Sequence, residues 1–115
     1  MNKIIFYKKQ NGTVPVQDFL DSLPLKDRKK MLRTIGLLKS EGINLREPNS
    51  SHIGNKIYEL RSKVSTNIQR VFYFCDSGNE FVLLHGFTKK TQNTPPAEIA
   101  RAEKYRKDYM DRAHS

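Results

Sequence analysis

The chain has 115 residues, with 21 Lys and Arg against 12 Asp and Glu, for a formal net charge of +9. That length predicts one domain over residues 1–115, large enough to bury a core without disulfide or metal staples. The longest apolar run, Val71–Cys75, has the length of a strand and falls far short of the ~18 residues of a membrane span.

Met1-Asn2-Lys3 and the four apolar residues after it are too short for a signal-peptide core. The lone Cys75 has no intrachain partner, which fits a reducing compartment, so the expected location is the cytoplasm. A pI near 9.8 makes a polyanion the first partner to consider, either nucleic acid or an acidic protein.

Ile4 to Tyr7 predicts a short buried strand, and Asn11-Gly12 a turn. Pro15 suits a helix's first turn, where its missing N–H would be unpaired anyway. Val16, Phe19, Leu20 and Leu23 follow at helical spacing until Pro24 breaks the element. A second helix is predicted from Leu25 to Glu41, stopped by Gly42, with Met31, Leu32, Ile35 and Leu38 on one stripe. Its outer face carries Lys26, Arg28, Lys29, Lys30 and Arg33.

From Gly42 to Asn55 the composition is polar and reads as a loop. Strand signals return at Lys56–Arg61, Ile68–Asp76 and Glu80–Thr88, with turns at Lys63 to Asn67 and at Ser77-Gly78-Asn79. Such short connections require antiparallel neighbours. A last helix is predicted over residues 95–112, with Thr94 as its cap and Pro95 at its first position. The order is β-α-α-β-β-β-α, an α+β fold with two N-terminal helices on one face of a small, mainly antiparallel sheet. The opposite face is expected to be partly open.

Alternation along the strands places Arg70, Phe72 and Phe74 together, Glu59 with Arg61, and Leu83, His85 and Phe87 against Val82, Leu84 and Gly86. An arginine inside an apolar strand stands out, since charged groups are rarely buried without a partner. Two readings of Arg70 stay open: a cross-strand pair with Glu59 that holds register, or a functional cation.

His52, His85 and His114 are too scattered for a zinc site, and no phosphate-cradling or dinucleotide motif is present. The pattern therefore predicts no cofactor and no metal. What remains is positive charge at the strand ends: Arg61, Arg70, Lys89 and Lys90. Guanidinium groups hold phosphate oxygens bidentately, which suits metal-free RNA cleavage by the ribose 2′-OH. Taken alone, Lys89-Lys90 also reads as solvated loop charge.

Ile57-Tyr58-Glu59-Leu60-Arg61, Arg70-Val71-Phe72-Tyr73 and the run LLHGFTKKTQNTP from Leu83 to Pro95 resemble the HigB-type branch of the RelE/ParE toxin superfamily, also recognised as phage-derived, host-inhibition-like proteins. The resemblance covers nearly the whole chain. It implies a RelE-like fold and a toxin of a type II toxin–antitoxin system, a metal-independent endoribonuclease that cuts messenger RNA on the ribosome. A HigA-like helix-turn-helix antitoxin is the implied partner, with operator DNA bound only through it.

Carried over by position, Arg70 would clamp the scissile phosphate and Arg61 would bind phosphate or stabilise the phosphorane. Lys89 or Lys90 would donate to phosphate or shuttle a proton. Members of the RelE branch often carry a tyrosine or histidine shortly after the last strand, and this chain does not. His85 is then the only strand histidine for an acid–base part, although it reads equally as a core residue donating to a backbone carbonyl. The basic face of Lys26, Lys29, Lys30 and Arg33 is a candidate contact for ribosomal RNA. Two other readings on the same scaffold are a non-enzymatic, ParE-like inhibitor of DNA gyrase and an inactive RNA-binding module.

Overall fold

The computed structural model describes residues 2–89 and 94–114. Lys90, one of the expected cations, lies outside the described residues. The elements run β1 (Lys3–Phe6), α1 (Pro15–Ser22), α2 (Leu25–Glu41), a 3-10 turn (Gly42–Asn44), β2 (Ser50–Gly54), β3 (Ile57–Val64), β4 (Asn67–Asp76), β5 (Glu80–Lys89) and α3 (Pro96–Ala113).

The strands form one five-stranded sheet in the order β1-β5-β4-β3-β2. β1 lies parallel to β5, and the other pairings are antiparallel. The fold is therefore a small α+β one with a mixed sheet. The hairpin turns need positive φ, which Ser65 (57°), Ser77 (62°) and Gly78 (81°) supply.

Five expectations are corrected. The polar stretch read as loop contains β2, an edge strand that pairs with β3 from Ser50↔Leu60 to Gly54↔Ile57. An edge strand needs no apolar alternation, so Ser50-Ser51-His52 carries no hydrophobic signal. Leu32, expected on the buried stripe of α2, is 47% exposed, whereas Met31, Ile35 and Leu38 are buried.

The helix expected from Thr94 begins at Pro96 instead, with Pro95 as its cap residue. The side chain of Thr94 turns to Glu59, its Oγ1 lying 3.4 Å from Oε2. Finally, the second face of the sheet is largely covered. α1 and α2 pack on Leu60, Val71, Tyr73, Phe81 and Leu83. α3 lays Ile99, Ala102, Tyr105, Tyr109 and Met110 over Ile57, Phe72, Phe74, Val82 and Leu84.

A β-bulge explains why alternation misassigns β5. Phe72 pairs with His85 and Tyr73 with Leu83, which leaves Leu84 as the extra residue. Val82 and Leu84 therefore share the α3 face with His85 and Phe87, not the opposite one. Gly86 then faces α1 at close range: a Cβ there would stand 2.4 Å from the Phe19 ring.

Candidate functional site

Cations gather where β3 and β4 meet and α3 does not reach. Antiparallel partners share a face, so Arg61, Arg70 and Phe87 form one row across the sheet and Lys63, Ile68 and Lys89 the next. α3 starts over the Glu59–Phe72–His85 row and runs away from this end. β2 stops pairing at Leu60, so the last residues of β3 form an edge, touched at Arg61 N–H by the carbonyl of Asn49 (2.9 Å).

Around that edge lies a cleft of about 530 Å3, lined by Lys30, Thr34, Glu47, Asn49, Arg61, Ser62, Lys63 and Ile68, with Pro48 at its side. α2 is held there by a buried polar chain. Gln69 Nε2 donates to Asp27 Oδ2 (2.7 Å) and Thr88 Oγ1 donates to Gln69 Oε1 (2.5 Å), which sets Lys30, one turn beyond Asp27, above the cleft. Arg61 pairs with Glu47 at 2.8 Å, the side chains being 25% and 71% exposed.

Two buried donors in the cleft wall, Arg61 Nε and Ser62 Oγ, have no hydrogen-bond partner among the described residues. Such groups cost about 1–3 kcal/mol each when left unsatisfied.

The structure thus brings Arg61 and Lys30 to one cleft, whereas Lys89 pairs with Ile68, two strands away from Lys63, and does not line that cleft. Lys26, Lys29 and Arg33 are exposed along α2, as is Lys30, and continue the positive surface away from the cleft. Arg28, read with them, is instead spent on the end of α1, donating to the carbonyls of Leu20 (2.9 Å), Asp21 and Leu23.

Arg70 lies beneath the site. It is 1% exposed, and its guanidinium binds both carboxylate oxygens of Glu59, itself 1% exposed. Of the two readings open in the sequence, this geometry is the cross-strand pair, and in this conformation the group does not face the cleft.

His85 stands one row away under α3. It is 3% exposed, its Nε2 donates to the Glu98 carbonyl (3.0 Å), and its ring meets Phe72 and Tyr105 edge to face. Burial pushes its pKa down, while the Glu98 carbonyl and carboxylate pull it the other way. Tyr105 and Tyr109, on the same helix, pack into the apolar layer.

Sequence reasoning missed Lys63, read as part of a turn, and Glu47 and Ser62, which it did not single out. The only signal was the alternation of β3 continued past Arg61. A second cavity of about 400 Å3 between the 3-10 turn and the sheet, lined by Ile43, Leu45, Tyr58, Tyr73 and Cys75 among others, holds none of the expected site residues. Among the described residues no group of three His, Cys, Asp or Glu is placed to hold a metal ion, and no helix is long and apolar enough to cross a membrane.

Sheet, helices and cleft together describe a small α+β protein that concentrates cations at one end of its sheet. The chain belongs to the family described as Phage derived protein Gp49-like (DUF891), which matches residues 18–107. That family is one of phage-derived, toxin-like proteins related to RelE and HigB, and membership implies a cognate antitoxin in general. No curated protein matches the chain.

Proposed function

We propose that the protein is the HigB-type toxin of a type II toxin–antitoxin pair and cleaves messenger RNA on the ribosome without a metal. The observation that carries this reading is the cleft that gathers Lys30, Arg61 and Lys63. RNA supplies its own nucleophile, so the protein must hold the phosphate, stabilise the phosphorane and manage two protons.

Arg61 and the lysines are suited to the first two tasks, because fixed cations aimed at developing charge are worth far more than mobile ones. Arg70 acts from below, through the Glu59 pair that fixes the strands carrying Arg61. The ribosome contributes alignment, since orientation alone supplies up to ~7–11 kcal/mol of a barrier. The basic face of α2 would rest on ribosomal RNA, and a HigA-like antitoxin would neutralise the toxin.

The test is a cell-free translation reaction with a defined mRNA and fragment ends mapped by primer extension. Cuts in frame with codons, dependent on ribosomes and reduced at least tenfold by Arg61→Ala, are expected. Intact mRNA under all conditions overturns the nuclease reading.

A second reading has its own observation. Leu25 (61% exposed) and Leu32 (47%) interrupt the basic face of α2, and exposed leucines suit a protein surface better than a nucleic acid. This favours a ParE-like inhibitor of gyrase, which would arrest DNA supercoiling and leave RNA whole.

A further inference from the structure

We infer that the second cavity, between the 3-10 turn and the sheet, is a binding site for a small aromatic carboxylate. The inference is independent of the nuclease reading, because it rests on different residues. At about 400 Å3 the cavity has the size of small-molecule pockets, which run ~300–1,000 Å3 and set a few convergent polar groups in apolar walls.

The apolar walls suit a flat ring. Tyr58 stacks on Tyr73 across β3 and β4 with centroids 5.6 Å apart, and Tyr73 meets Phe81 of β5 edge to face at 6.2 Å. Ile43 and Leu45 complete the lining from the 3-10 turn and the residue after it. Ile43 and Tyr58 remain 66% and 39% exposed, apolar surface that a ring in the cavity would cover.

The polar groups require an acceptor, and a negative one. Ser50 Oγ and the Tyr73 hydroxyl oxygen lie 2.5 Å apart, and both residues are 4% exposed. Two hydroxyls carry two protons and their mutual bond uses one, so the second has no acceptor among the described residues. Burial raises the Tyr73 pKa above its ordinary value, and the pair therefore keeps both protons at neutral pH.

Arg46 lines the same cavity. It spends Nη1 on the carbonyls of Ile43 (2.6 Å) and Leu45 (3.3 Å), and its other nitrogens have no partner among the described residues. Glu47, the one carboxylate in the lining, is already paired with Arg61, and His52 Nε2 is committed to the Asn55 carbonyl. A spare hydroxyl proton beside a free guanidinium edge matches a carboxylate, which accepts from both in charge-assisted hydrogen bonds.

The experiment is calorimetric titration of the full chain with 1-naphthoate, and with 1-naphthamide as its neutral counterpart. Naphthoate should bind with a Kd of about 1 mM or tighter. Arg46→Ala should weaken naphthoate about tenfold and leave naphthamide within about twofold of wild type, while Arg46→Lys should retain most of the naphthoate affinity. Cys75 gives a second readout, since it is the only cysteine and lines the cavity. Its alkylation by iodoacetamide should slow in proportion to the fraction of protein carrying naphthoate.

No binding of either compound overturns the site. Binding that leaves Cys75 alkylation unchanged places the ligand elsewhere and overturns it as well. An Arg46→Ala protein that holds naphthoate as tightly as wild type, or loses both compounds equally, overturns the assignment to a carboxylate.

Discussion

Glu59 and Arg70 are adjacent in space and both nearly inaccessible, and each offsets the buried charge of the other. Removing one partner of a buried ion pair strands the other charge in a low-dielectric interior, at about 3–5 kcal/mol, whereas replacing both with apolar groups of similar volume is often near neutral. Arg70→Ala is therefore expected to lose about 3–5 kcal/mol in urea unfolding. Arg70→Met combined with Glu59→Leu should regain most of that loss. An Arg70→Ala protein within about 1 kcal/mol of wild type would show that the pair does not hold the strands as described. The same reasoning bears on activity: loss of toxicity in Arg70→Ala reports first on the fold, so Arg61→Ala is the cleaner probe of the cleft.

Between elements, His85 is the polar link from β5 to the start of α3, its Nε2–H meeting the Glu98 carbonyl. Burial lowers its pKa below the usual ~6.5, so the unfolded chain binds the proton more readily than the folded one. The stabilisation is then fully present above about pH 6.5 and is lost as pH falls through the lowered folded value. Melting temperature should drop between pH 7.5 and 5.5, and His85→Gln should flatten that dependence. An identical slope in the variant would assign it to other groups.

Elements were legible where period and punctuation agreed: α1 with Pro15 in its first turn and α2 up to Gly42 both stand within a residue or so of expectation. β2 was not legible, because a polar edge strand owes its existence to the partner it pairs with. The faces of β5 were not legible either, because one bulged residue, Leu84, inverts the alternation and leaves no local mark. Of the site, Arg61 and Lys30 were found separately by type and position. Their meeting depends on the Asp27–Gln69–Thr88 chain, which joins three elements distant in sequence.

Across the whole molecule, the +9 charge is unevenly used: Arg28, Arg70 and Arg112 are taken up by internal contacts. Lys26, Lys29, Lys30 and Arg33, by contrast, stand exposed on α2 next to the cleft. If that face rests on ribosomal RNA, binding is driven by release of condensed counterions, and the logarithm of affinity falls linearly with the logarithm of salt. Each lost phosphate contact should make that slope shallower by about 0.7–0.9. Lys29→Glu with Arg33→Glu removes two cations from positions four apart, on one side of the helix, without touching the buried stripe. Co-sedimentation with ribosomes over a salt series should then show weaker binding at low salt and a slope reduced by about 1.4 or more. Leu25→Ser with Leu32→Ser, which alters the apolar part of the same face, should leave the slope unchanged. Unaltered affinity and slope in the charge-reversed protein would move the ribosome contact elsewhere. Weakened binding from the leucine substitutions would instead mark α2 as a surface for protein.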